Sequence, residues 1–202
     1  MEKIKAVIFD FGGVLIDWNP YYLYRKVLTS DTEIARFLQE IHFSEWNYSF
    51  DQGYPVALGI NEMCRQFPQY ADLIRQYDER WLETIGEIFS ANIDLVKMVK
   101  AAGTPVYGLS NWSSEKFNLV HPRYEFFNLF NDIVISGMVK IAKPDPRIYT
   151  LLLDRNALEA KECIYIDDSA ENYHAARQVG LQAIQYRSSQ QLRRELQSYG
   201  VL

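Results

Sequence analysis

The stretch Lys5–Pro20, KAVIFDFGGVLIDWNP, decides how the rest of the chain is read. Ala6 to Phe9 is apolar without alternation, as in a strand covered on both faces, and it runs into a carboxylate, Asp10. Two glycines and a second apolar turn follow at once. In an open parallel sheet, ligands gather beyond the carboxyl ends of the strands, so a charged residue at this point is a first candidate for a site.

Four later runs have the same character: PVYGLSN from Pro105, DIVISG from Asp132, CIYIDD from Cys163 and QAIQY from Gln182, with helical stretches between them. Together with the first run they predict an α/β fold, a Rossmann-like doubly wound parallel sheet. The long interval between the first and second runs has no strand pattern and exceeds what one crossover helix requires. It reads as helical. NPYYLYRKVL opens with Asn19 as a cap and Pro20 in the first turn, and SDTEIARFLQEI has capping-box spacing from Ser30 to Glu33. PVALGINEMCRQF and YADLIRQYDERWLETI repeat apolar residues at three- and four-residue spacing. The expected division is a small helical-bundle cap over residues 18–87, inserted into a core made of 1–17 and 88–202.

With 202 residues, 48% of them apolar, the chain can bury a real core. The net charge of -5 argues against nucleic acid or an anionic membrane surface as the main partner. Cys64 and Cys163 are far apart within apolar patterns and read as core thiols in a reducing compartment. Met1 leads into the charged stretch EKIK with no apolar signal core, and no window approaches the roughly 20 apolar residues of a membrane span. A cytoplasmic protein is expected, with monomer and homodimer both open.

Polar residues collect where the predicted strands end: Asp10, Ser110-Asn111, Lys143-Pro144 just beyond the third run, and Asp167-Asp168. Three carboxylates converging with one lysine at one rim would repel unless a metal and an anionic substrate completed the set, which suggests phosphate chemistry. A pair of acids after CIYI exceeds what capping the following helix requires.

On these four segments, FDFGGVL, GLSN, KPDPRIY and YIDDSAEN, in this order and spacing, the chain resembles the haloacid dehalogenase-like hydrolases, specifically a phosphatase type with a helical cap after the first motif. The resemblance implies that Asp10 is a nucleophile forming an aspartyl-phosphate and that Ser110 and Asn111 hold a phosphoryl oxygen. It implies that Lys143 neutralises developing charge. Mg²⁺ would be bound by Asp10, by the backbone carbonyl of Gly12, by Asp168 directly and by Asp167 through water. Asn172 would brace the site. The substrate class is a small phosphate monoester, a sugar phosphate among the options.

The family's phosphatases usually carry a second aspartate two residues after the nucleophile, as proton donor to the leaving oxygen. This chain has Gly12. Two acids offer themselves: Asp17, at the exit toward the cap, and Asp51, in SFDQGY, which reads as a turn between cap helices that lowers the acid over the substrate. Trp18, Trp46, Tyr48 and Trp112 fall near motif ends or this turn and suit a grip on a sugar or an apolar leaving group. His42, His121 and His174 lie within helical patterns and read as packing or surface. Two alternatives stay open: a phosphate-binding relative that has lost turnover with Gly12, and a 2-haloacid dehalogenase. The Asp167-Asp168 pair counts against the dehalogenase.

Overall fold

β1 (Ala6–Phe9) is buried along its whole length because both faces of its sheet are covered. Val7 and Phe9 enter one apolar layer, Ala6 and Ile8 the other, the period-two alternation of a strand. Fully burying a side chain such as Ile8 or Phe9 contributes roughly 1.5–3 kcal/mol. The structure is a computed structural model that describes residues 3–202; Met1 and Glu2 of the expected core segment lie outside the described residues.

After β1 the chain forms β2 (Ile16–Trp18), then α1 (Tyr21–Tyr24), α2 (Asp31–Glu40), α3 (Phe43–Asp51), α4 (Val56–Gln66) and α5 (Ala71–Glu79), and returns through β3 (Ile85–Ile88). Helix and strand then alternate: α6 (Ser90–Ala101), β4 (Val106–Ser110), α7 (Ser114–Val120), β5 (Asp132–Ile135), α8 (Ser136–Val139), α9 (Pro146–Arg155), β6 (Cys163–Asp167), α10 (Ala170–Val179), β7 (Gln182–Gln185) and α11 (Ser189–Ser198). The main sheet has the order β5-β4-β1-β6-β7 with every pair parallel. β1 lies at its centre, with Val7 paired to Val106 on one side and Ile164 on the other. Helices α9 and α10 cover one face through Ile148, Leu152 and Ala176; α6, α7 and α11 cover the other through Val96, Phe117 and Leu192. The five apolar runs of the sequence are these five strands.

The inserted segment differs from its expected form in four ways. The chain enters and leaves it through a two-stranded antiparallel ribbon, β2 with β3, so the segment drawn as 18–87 begins and ends inside paired strands. IDW and IGEI are too short and too polar to announce themselves as strands. The first helix is a single turn, although Asn19 does cap it, its side chain accepting from Tyr21 N–H at 2.9 Å. The stretch expected to be a turn around Asp51 is the end of α3, an aromatic helix that buries Phe43, Trp46 and Phe50. His42, rather than lying within a helix, links α2 to α3 in the left-handed region at φ 49°. Ser30 caps α2 by accepting from Glu33 N–H, while the Glu33 carboxylate accepts from the Thr29 N–H.

Cys64 and Cys163 are both free, and burial pushes the Cys163 thiol up to about 12. No helix among the described residues is long and apolar enough to cross a membrane.

Candidate active site

Asp10 follows directly on β1 and is held by its own neighbourhood. Its Oδ1 accepts from Phe11 N–H at 2.7 Å, from the Ser110 hydroxyl at 2.6 Å and from Lys143 Nζ at 3.0 Å. Three donors on one oxygen fix the carboxylate plane and leave Oδ2 as the oxygen free to react or to bind a cation. Phe11 can turn back into the core beside Asp10 because Gly108 faces it: a Cβ at Gly108 would lie 2.4 Å from the Phe11 ring.

Lys143 is 1% exposed and makes full use of its ammonium, donating to Asp10, to Asp167 Oδ2 at 2.7 Å and to the Leu109 carbonyl at 3.2 Å. Burial works to lower its pKa, and the two carboxylates more than offset that, so the net shift is upward. Asp167 is also fully occupied. It accepts from Lys143, the Tyr165 hydroxyl, Ser169 N–H and Asn172 Nδ2. Burial would raise its pKa, and the Lys143 charge with these donors outweighs it, leaving the carboxyl below its usual value. Burial pushes the Asp10 carboxyl up to about 7, with Lys143 pulling against it. Ser169, not either acid, caps α10 by accepting from Asn172 N–H, so Asp167 and Asp168 serve no capping purpose.

Asp168 faces outward at the same rim. One carboxylate oxygen from each of Asp10, Asp167 and Asp168 lies within 4.8 Å of the others. Three carboxylates against the single charge of Lys143 form an excess of hard oxygen donors, the donor set that suits Mg²⁺. The space for Asp168 depends on Gly13, where φ is +71° and a Cβ would stand 2.5 Å from Asp168 Oδ2. Gly13→Ala is therefore expected to cost about 1–3 kcal/mol in urea unfolding and to displace Asp168, weakening Mg²⁺ binding measured by calorimetry. Unchanged stability and affinity would refute the crowding argument.

Ser110 and Asn111 both hydrogen-bond to other residues of the site. The one hydroxyl proton of Ser110 is given to Asp10, not left free for a phosphoryl group. The Asn111 side chain binds the Lys143 backbone, donating to its carbonyl at 2.9 Å and accepting from its N–H at 2.8 Å, which leaves its second amide N–H, and it lines the cavity. Both residues thus position the nucleophile and the lysine.

Above the rim lies a cavity of about 110 Å³, with Gly12 and Trp112 among its core-side walls and Trp18, Phe50, Asp51 and Tyr77 toward the cap. A Cβ at Gly12 would meet nothing within 4 Å, so the family's usual acid position is open space. Asp51 lines this cavity; burial pushes its carboxyl up to about 7, with the charge of Lys143 and the Ser113 backbone N–H acting in the other direction. Asp17 is tied to the Tyr22 hydroxyl at the ribbon and is not part of the wall. Of the four aromatics singled out in the sequence, Trp18 and Trp112 line the cavity. Trp46 packs inside the cap against Phe43 and Phe50, and Tyr48 donates to the Lys143 carbonyl at 3.2 Å. Trp81 and Tyr77 were not visible as cavity residues in the sequence, where they look like one apolar helical face. The indole N–H groups of Trp18 and Trp112 are buried without a hydrogen-bond partner among the described residues.

Comparison with known proteins agrees with this layout. A sesquiterpene phosphatase of Aspergillus oryzae is 28% identical over 88% of this chain and 87% of its own length. A phosphorylated carbohydrates phosphatase of Thermotoga maritima is 27% identical over 90% of this chain and 84% of its own. A HAD family enzyme of Bacteroides thetaiotaomicron, solved as the wild-type protein in complex with magnesium and inorganic phosphate, superposes with a TM-score of 0.68 at 23% identity, covering 91% of this chain and 94% of that one. The family model for haloacid dehalogenase-like hydrolase matches residues 4–180, and the chain belongs to that family.

Proposed function

We propose that this hydrolase is a Mg²⁺-dependent phosphatase acting on a compact, oxygen-bearing phosphate monoester such as a sugar or polyol phosphate. The observation that carries the reading is the buried Asp10–Lys143–Asp167 array with Asp168 at its edge. Asp10 Oδ2 attacks phosphorus, the bond to the leaving oxygen breaks, and water later cleaves the aspartyl-phosphate. Lys143 neutralises charge beside the reacting oxygens; Asp167, Ser110 and Asn111 keep it and Asp10 in place. Asp10, Asp168 and the Gly12 carbonyl would hold Mg²⁺, with Asp167 acting through water. When bound, the cation supplies charge neutralisation for a phosphoryl group.

The leaving-group preference rests on the cavity. Asn47, Asp51, Asn111 and Ser113 stand among its walls, polar groups that suit an oxygen-bearing leaving group better than a fifteen-carbon chain. A panel of sugar, polyol and prenyl phosphates, assayed for phosphate release with Mg²⁺ and with chelator, tests the reading. Metal-dependent release from the compact polar esters is expected. Phosphate bound without turnover of any ester would point instead to a binding protein, and halide released from a 2-chloroacid without metal to a dehalogenase.

A further inference from the structure

With Gly12 in place of an acid, a sugar alkoxide would have to depart unprotonated, which is a poor leaving group. We propose that Asp51, carried by the cap, is the catalytic acid and base of this site, replacing the aspartate that the core lacks; this rests on the phosphatase reading above. Asp51 is the last residue of α3 and lines the same cavity as Gly12, the position from which the family's usual acid would act. Its helix is fastened to the catalytic loop: Tyr48, one turn earlier, donates to the Lys143 carbonyl at 3.2 Å, and Val56 N–H, just beyond the turn, donates to Glu115 on α7 at 3.0 Å. The cavity's other charged group, Lys116, is already paired with Asp78, whereas Asp51 has no ion pair among the described residues. An unpaired carboxyl in an aromatic enclosure, raised to about 7 by burial, carries a proton near neutral pH. The groups that face it are Lys143 and the Ser113 backbone N–H, which favour its ionised form, and the phenols of Tyr48 and Tyr77, which sense its charge; Lys116 shares the cavity wall.

The step balances. As Asp10 Oδ2 bonds to phosphorus, the P–O bond to the sugar breaks, and the electron pair left on oxygen takes the Asp51 proton, giving the free alcohol, aspartyl-phosphate and an Asp51 carboxylate. In the second half, Asp51 takes a proton from the attacking water as the P–Oδ2 bond breaks, restoring Asp10 and releasing orthophosphate.

The experiment compares kcat for p-nitrophenyl phosphate, whose leaving group needs no proton, with kcat for glycerol 3-phosphate, whose leaving group does. In Asp51→Asn the alkyl-to-aryl ratio is expected to fall by ~10²–10⁴-fold. Adding Gly12→Asp to that variant should restore the ratio at least in part, since the position is open. The wild type alone provides a second measurement, independent of whether Asp51→Asn folds. The dependence of kcat on leaving-group pKa should be shallow at pH 6, with Asp51 protonated, and steep at pH 8.5, with it ionised. Titration of Asp10 alters both esters alike and cancels in the ratio. Equal loss on both esters, no loss on either, or a slope unchanged between the two pH values overturns the proposal while leaving the phosphatase reading intact. Turnover of neither ester by the wild type overturns both.

Discussion

Asp10→Asn is expected to lower turnover by at least about 10⁴-fold while leaving the fold intact. The amide cannot attack phosphorus, yet its oxygen can still accept from Phe11 N–H, Ser110 and Lys143, the three donors that hold Oδ1 in the native protein. It also removes a carboxylate whose burial is unfavourable, so the melting temperature should move by no more than a few degrees. Intact-mass analysis of acid-quenched enzyme under turnover should show a phosphoryl adduct in the native protein and none in the variant. If both lack it, with turnover confirmed in the native enzyme, the covalent route is wrong.

The two adjacent acids, Asp167 and Asp168, should separate cleanly into different roles. Asp168→Ala removes an outward-facing carboxylate that accepts from no side chain, so it should weaken Mg²⁺ binding by more than about 100-fold in calorimetry and leave thermal stability nearly unchanged. Asp167→Ala should do the reverse. Its carboxylate is completely buried and accepts from Lys143, Tyr165, Ser169 and Asn172, so its loss strands a buried ammonium between fewer partners. A cost of about 3–5 kcal/mol is expected from unfolding curves, with a smaller loss of metal affinity, about 10–100-fold. Equal effects of the two variants on both measurements would remove the distinction between ligand and anchor.

The difference between these two acids marks the limit of what the linear sequence discloses. That CIYIDD is a buried strand ending in acids follows from composition alone, as do β1 and β4, because a strand covered on both faces must be apolar throughout. Which acid turns inward does not follow, since it depends on the long-range approach of Lys143. Ser110 and Asn111 illustrate the same point: they are legible as polar residues ending β4, but their partners, Asp10 and the Lys143 backbone, come from distant parts of the chain. The aromatic helix α3 escaped notice because Asn47, Ser49, Asp51 and Gly53 imitate a turn, and its helical period shows only in Phe43, Trp46 and Phe50. The β2–β3 ribbon joins residues on either side of the whole insert, and neither strand carries a pattern by itself.

The central place of β1 in the sheet has a consequence for how the chain acquires its shape. The strand is made before either of its partners, with Val106 on one side and Ile164 on the other, so its backbone groups stay unpaired until both have followed. The helical insert is made of near neighbours in sequence and can order early, whereas the sheet closes only after two long loops have paid their entropy, which makes strand assembly the slow stage of folding. Until then AVIF is an uncovered apolar edge, the segment through which nascent chains would associate, and the nucleophile that follows it reaches its final setting only when β6 has docked.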